Sequence, residues 1–368
     1  MKAGIITYHR AYNYGSALQN YALNYYLRSE GVDAATIDYQ NENQENMYKI
    51  FQPNNGVMSV LRNIQSLMYY KDLKLHKKRF DSFLLEYIPM TESIRSSEKL
   101  SELNKIFDYF ICGSDQIWNA SCYDFDKSYL LDFVKDKKKC VSFAPSIAIA
   151  EIPEDWNEMF REHIIDYKAV SLREQKGADF ISKVINKPVP VLMDPVFLLS
   201  EEEWSKLSVE LELKNPYIFC YFIGDVRGMR EFAKNMRKAT KLPLVVVYKN
   251  IRDMAYPNKK LYGTGPREFL GLIKNAEYIC TNSFHATAFS IIFKKNFWAF
   301  TDIEHAISAG SRIDNITSLF GLKNRVLNYT NMDKVNFTEQ IMFTDEMMKI
   351  RENKSDEAKS FLKNALDI

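Results

Sequence analysis

At 368 residues the chain exceeds what one hydrophobic core comfortably serves, so two domains of ordinary size are expected. Forty-nine basic against 47 acidic residues leave a formal charge of +2, which excludes the broad basic footprint of a nucleic-acid-binding protein. An apolar share of 46% suits packed cores, and no apolar run approaches the length of a membrane span.

Short apolar runs alternate with longer helical patterns, which predicts parallel α/β sheets. Residues 4–7 read as the first strand, with a loop to Gly15. Ser16 is expected to cap a helix with Leu18, Ala22, Leu23, Tyr26 and Leu27 on one face, ended by Gly31. Residues 34–38 follow as a strand. Residues from about 40 to 100 break the alternation as an insertion or long crossover, with Phe80, Phe83, Leu84 and Tyr87 on one helical face. Within it Lys71, Lys74, Lys77, Lys78 and Arg79 form a basic segment, read first as a solvated face and second as a contact for anionic lipid. Runs at 109–112, 140–143, 169–172 and 189–193 complete a doubly wound domain over residues 1–200.

A second alternation, at 217–222, 244–247, 278–281 and 297–300, predicts a second domain over 201–340. The stretch 200–216 is read as a linker and first helix. The tail 341–368 is a helical pattern expected to return to the first domain. The expected fold is therefore two Rossmann-like doubly wound domains facing a cleft, the default place for a ligand. Five cysteines without CxxC spacing predict neither a disulfide framework nor a zinc site. Met1 and Lys2 lead straight into the first strand without a signal-peptide core, so the expected location is cytoplasmic, free or at the inner membrane face.

Four polar segments begin where apolar runs stop. The first holds Asn13, Gly15, Ser16 and Gln19: glycine would let the backbone approach a ligand, and a helix start can hold an anion. His9 and Arg10 in the same loop read as exposed. The second, Gly113-Ser114-Asp115-Gln116-Ile117-Trp118, offers groups that suit sugar hydroxyls and an indole for stacking; equally, Asp115 caps a helix and Trp118 is core. The third ends in Arg173, a strand-end guanidinium that requires an anion: Glu174, a later acidic residue, or a bound carboxylate or phosphate. Asp194 closes the next run at the same edge. The fourth is Thr281-Asn282-Ser283-Phe284-His285, where Ser283 reads as an N-cap and puts His285 on the second helical position. Imidazole titrates nearest neutral pH, which makes His285 the candidate acid or base. No dinucleotide fingerprint, P-loop or acidic metal-spacing cluster occurs.

Taken in order, Asn13-Tyr14-Gly15-Ser16-Ala17-Leu18-Gln19, Ile111 to Asn119, Ser171-Leu172-Arg173-Glu174, Asp194 to Leu199 and Thr281 to His285 resemble the polysaccharide pyruvyl transferase family, from about residue 1 to 327. The resemblance implies a fold like that of the GT-B glycosyltransferases. It also implies transfer of pyruvate from phosphoenolpyruvate onto two hydroxyls of a saccharide acceptor, free or lipid-linked, to give a cyclic ketal. Phosphoenolpyruvate is then a co-substrate, with no further cofactor and no metal. His285 matches the family's catalytic His. Arg173, Asn282, Ser283 and Arg312 are expected at the donor, and Asn13, Gly15, Ser16, Gln19, Ser114, Asp115 and Gln116 at the acceptor. Some members carry Arg where this chain has Ser283, which leaves open a changed donor, a different anion clamp from Lys249, Arg252 or Arg267, or loss of activity. Two other readings stand beside this one: a GT-B glycosyltransferase using a nucleotide sugar, and a non-catalytic saccharide-binding relative.

Overall fold

The computed structural model describes residues 1–368 except 52, 54, 55, 150, 214, 215, 248–258, 262 and 303–309. The chain divides into two compact units, Met1–Leu199 with Lys354–Ile368, and Ser200–Asn353.

In the first unit, β1 (Lys2–Ile6) leads into α1 (Tyr14–Ser29) and β2 (Asp33–Thr36). Four helices follow, α2 (Glu42–Met47), α3 (Val57–Met68), α4 (Tyr70–Tyr87) and the short α5 (Ser97–Leu100). Then come β3 (Tyr109–Cys112), β4 (Cys140–Ser142), α6 (Trp156–Ile164), β5 (Ala169–Val170) and α7 (Gln175–Ile185). The strands form one parallel sheet of order β2-β1-β3-β4-β5, in which Ile5 lies between Thr36 and Ile111. Ile5, Ile6, Phe110, Ile111 and Val141 are fully buried, as expected of strands covered on both faces.

The expected strand at 189–193 is reduced to one bridge, Leu172 with Val191. Pro190 lacks the N–H a ladder needs, and its carbonyl merely accepts from the Leu172 amide at 3.1 Å. In α1 the polar Asn20 and Asn24 are buried because the Thr36 hydroxyl answers both, at 2.9 Å each. Gly31 ends this helix at φ 83°, where a side chain would be strained. Phe80, Phe83 and Leu84 of α4 are buried as the pattern indicates, and Tyr87 is half-buried.

The second unit opens with α8 (Glu201–Leu207), started by a Ser200/Glu203 capping box. It continues through β6 (Ile218–Tyr221), α9 (Met229–Thr240), β7 (Leu244–Val247), β8 (Lys259–Leu261), α10 (Pro266–Lys274) and β9 (Tyr278–Thr281). The rest is α11 (Phe284–Ile292), β10 (Asn296–Phe300), α12 (Gly310–Leu319), β11 (Val326–Leu327) and α13 (Asp345–Leu366). The sheet order is β11-β10-β9-β6-β7-β8, all parallel. Met229, Phe232 and Met236 of α9 cover one face against Ile218, Cys220, Cys280 and Trp298. Phe219 meets Phe269 of α10 on the other, ring centres 6.0 Å apart. The last turns of α13 belong to the first unit, where Phe361 lies against Phe143 and Lys363 pairs with Glu30 at 2.8 Å.

Each sheet reverses its direction of growth once: the chain runs β1 to β2 and then crosses to β3, and runs β6 to β8 and then crosses to β9. The carboxyl ends of β1/β3 and of β6/β9 are therefore the topological switch points, where open α/β sheets hold ligands.

Gly113, just after β3, has φ +132°, and a Cβ there would lie 2.1 Å from the Phe143 carbonyl oxygen. Gly113→Ala is expected to destabilise the fold by about 3 kcal/mol or more, read as a lowered urea midpoint at unchanged slope.

Candidate functional site

At the first switch point the segments after β1, β3 and β4 are joined by hydrogen bonds. Thr7, at the end of β1, donates to the Ser114 carbonyl at 3.0 Å, and Gln19 donates to the Thr7 hydroxyl at 2.9 Å. Gln19 in turn accepts the Ser114 amide at 3.0 Å, so one glutamine fixes both loops and is wholly buried. The Ser114 hydroxyl donates to the Ala144 carbonyl at 2.5 Å.

Helix α1 begins three residues before its expected start, its cap at Asn13 and not at Ser16. Asn13, in extended backbone, is the N-cap, and its carboxamide accepts from the Gly15 amide at 2.9 Å. Gly15 is thus inside the first helical turn and buried. Ser16 is freed from capping, and its hydroxyl donates to the Asp115 carboxylate.

Asp115 is the centre of this cluster. Its backbone is left-handed, φ 71°, and its amide oxygen accepts from Ser146 at 2.8 Å. A non-glycine residue held in that region stores strain, which accumulates where geometry serves a site. Asp115 caps no helix, because turns and not a helix follow β3. Gln116 is half-buried beside it, while Trp118 is fully buried with its indole N–H on the Tyr129 carbonyl at 3.2 Å. The stacking role is thereby excluded and the core account of Trp118 stands.

Of the anions a strand-end Arg173 could meet, a later acidic residue supplies the charge: the side chain, 2% exposed, is ion-paired with Asp194 and lies 3.8 Å from Asp115. Burial alone would lower the guanidinium pKa, but Asp194, Asp115 and Glu174 outweigh it and hold the charge. Glu174 is committed elsewhere, accepting the Ile147 and Ala148 amides at 2.7 and 3.2 Å. Arg173 is thus held between two carboxylates at this sheet edge.

His9 and Arg10 are also not the exposed pair expected. His9 is buried against Asp38 at 2.9 Å, and Arg10 forks onto both Asp38 oxygens at 2.5 and 2.6 Å. Burial pushes the Asp38 pKa up, but the hydrogen bonds from Arg10 and His9 prevail and hold it well below the usual carboxylate range.

At the second switch point, Ser283 caps α11 by accepting from the Ala286 amide at 3.4 Å, and His285 occupies the second helical position, as the pattern indicates. The ring is 7% exposed and meets Phe284 edge-on, centres 5.1 Å apart. Asn282 spends its carboxamide across the switch point: it accepts from the Ile223 amide at 2.7 Å and donates to the Ile223 carbonyl at 2.5 Å. Thr281 donates to the Tyr221 carbonyl at 2.6 Å and accepts from the Ser283 amide at 3.0 Å. Asn282 thus builds the corner that presents His285. Thr7 is not among the residues the sequence points to, although its signal was available: it is a hydroxyl residue ending an apolar run.

Arg312 is half-buried in α12. Of the substitute clamps, Arg267 donates to the Leu207 carbonyl at 2.9 Å, and Lys249 and Arg252 lie outside the described residues. Among the described residues, no group of three or more His, Cys, Asp or Glu side chains could hold a metal ion. No helix among them is long and apolar enough to cross a membrane.

A family model for polysaccharide pyruvyl transferase matches residues 13–302, a span that includes Asp115, Arg173 and His285. The chain belongs to the polysaccharide pyruvyl transferase family. Among solved structures, a protein assigned as a UDP-N-acetylglucosamine 2-epimerase from Listeria monocytogenes is similar over 100% of this chain and 96% of its own, at TM-score 0.54 and 10% identity. UDP-GlcNAc 2-epimerase from Methanocaldococcus jannaschii follows at TM-score 0.48 and 12% identity, over 98% of this chain and 100% of its own. The SsfS6 glycosyltransferase of Streptomyces sp. SF2575 has TM-score 0.40 and 9% identity, over 98% and 96%. The fold is accordingly GT-B-like, with two parallel-sheet α/β domains. A comparison with curated protein sequences gives no match.

The Asp38 cluster has a pH signature. Because its folded pKa lies below the ordinary 3.8, its stabilisation is fully present above that value and is lost as pH falls through the folded pKa. Asp38→Asn should cost about 1–3 kcal/mol at pH 7, and denaturation series should show the gap to the native chain closing below about pH 4.

Proposed function

We propose that this family member transfers the pyruvyl group of phosphoenolpyruvate to two hydroxyls of a saccharide, forming a cyclic ketal and releasing phosphate. Membership of the family, together with an imidazole at the start of α11 beside the second switch point, carries this reading. The chemistry needs a proton on the donor's methylene carbon, an attack by one hydroxyl on the resulting electron-poor carbon, departure of phosphate, and closure by the second hydroxyl. Of the two hydroxyl protons, one ends on the new methyl group and the other on phosphate.

We assign His285 to the proton transfer at the donor. The N-terminal turn of α11, with Ser283 as its cap, favours an anion there without the arginine some family members carry. Arg312 is the cation assigned to the donor carboxylate. Asp115 is assigned to an acceptor hydroxyl, with Gln116 and Ser16 beside it and Arg173 holding its carboxylate in place. No cofactor beyond phosphoenolpyruvate is required. The acceptor is a precursor of a cell-surface polysaccharide, and the reaction runs in the cytoplasm.

Mass spectrometry of candidate free and lipid-linked oligosaccharides incubated with phosphoenolpyruvate tests this reading, with UDP-sugars as the control donor. The expected result is a gain of one pyruvyl group with stoichiometric phosphate. His285→Ala and Asp115→Asn should each lower the rate by about a hundredfold or more. Undiminished pyruvyl transfer in His285→Ala, or sugar transfer from the control donor alone, would overturn it.

A further inference from the structure

Helix α3 is turned inside out relative to an ordinary surface helix. Leu61, Ile64, Leu67 and Met68 are 54, 53, 69 and 69% exposed, and Val60 is exposed beside them. On a helix these positions fall in one stripe about 120° wide. The polar Ser59, Asn63, Gln65 and Ser66, by contrast, are half-buried. Water therefore meets the apolar face, while of the polar residues of this helix only Arg62 is exposed. Exposed apolar patches of this kind mark interaction sites.

What surrounds the stripe identifies the partner. After Tyr69 the chain continues directly into α4, which buries Phe80, Phe83 and Leu84 in the domain. Its opposite side presents Lys71, Lys74, Lys78 and Leu75 to solvent. From Val57 to Phe80 there are six basic residues (Arg62, Lys71, Lys74, Lys77, Lys78, Arg79) against one acidic, Asp72. Two further exposed aromatics, Phe51 and Tyr70, stack with ring centres 5.9 Å apart at the junction. In a chain whose formal charge is only +2, this is a strong local concentration. An aliphatic stripe with aromatic neighbours and a lysine-rich flank is what an interfacial helix presents to a bilayer bearing anionic headgroups. A dimer seam would bury the stripe equally well but would bring the like charges of two copies together.

We propose that α3 and the exposed side of α4 form a peripheral docking surface for an anionic lipid bilayer. The apolar stripe lies among the upper acyl chains, and Lys71, Lys74 and Lys78 contact headgroup phosphates.

Flotation of the full chain with phosphatidylglycerol/phosphatidylcholine vesicles, against pure phosphatidylcholine, tests this. Binding is expected to the anionic vesicles and to weaken as salt is raised. Lys71→Gln, Lys74→Gln and Lys78→Gln together should lower partitioning by about a hundredfold. Leu61→Gln, Ile64→Gln and Leu67→Gln together should abolish it, with circular dichroism unchanged because these side chains support no core. Met68→Trp should show a blue-shifted emission only with anionic vesicles. No binding to anionic vesicles, binding indifferent to both variant sets, or a dimer by sedimentation equilibrium that the leucine set dissociates would each overturn the proposal.

Discussion

A guanidinium with almost no access to water organises the first domain. An isolated buried charge is prohibitive, so the chain must bring carboxylates to Arg173. Asp194 and Asp115 supply them from two other segments of the chain. Meeting that requirement fixes the end of β5, the turn before Val196 and the loop after β3 relative to one another. The Asp194 carboxylate also accepts from the Val196 amide at 3.1 Å, and Ser16 reaches Asp115 from α1. Four segments separated by up to 178 positions in sequence are thus held by one charge balance. The left-handed backbone of Asp115 is sustained by the same contacts.

The second domain solves the same problem without charge. Its switch point is laced by Thr281, Asn282 and Ser283, whose neutral hydrogen bonds tie the ends of β6 and β9 and start α11. The two corners therefore differ in character: one is anionic and strained, the other neutral and at a helix start. That difference suits the division of labour proposed, a carboxylate for a sugar hydroxyl and a helix start for a phosphorylated donor.

Legibility in the sequence followed physical context. The central strands could be read because burial on both faces makes them unbroken apolar runs, as at Phe110 to Cys112 and Ile218 to Cys220. The edge strands β8 and β11 could not, since Lys259-Lys260-Leu261 and Val326-Leu327 are too short or too polar to stand out. The run at 189–193 looked like a strand until Pro190 is considered as a missing donor. The α11 start was legible because its cap is local, whereas the α1 cap expected at Ser16 lies at Asn13, and the Ser16 hydroxyl goes to Asp115, 99 residues away. Arg173 announced a need for an anion, but its partner 21 residues on is a tertiary fact. Likewise, amphipathicity in α3 is visible in the sequence, but which face meets water is not.

The central claim is that Arg173 is held by protein carboxylates and thereby sets the first switch point. A double-mutant cycle of Arg173→Met and Asp194→Leu, read by urea denaturation, tests it most directly. The account predicts that each single change is strongly destabilising and that the double change recovers part of the loss, a coupling of about 2 kcal/mol or more. Additive single effects, with no coupling between the two positions, would contradict it.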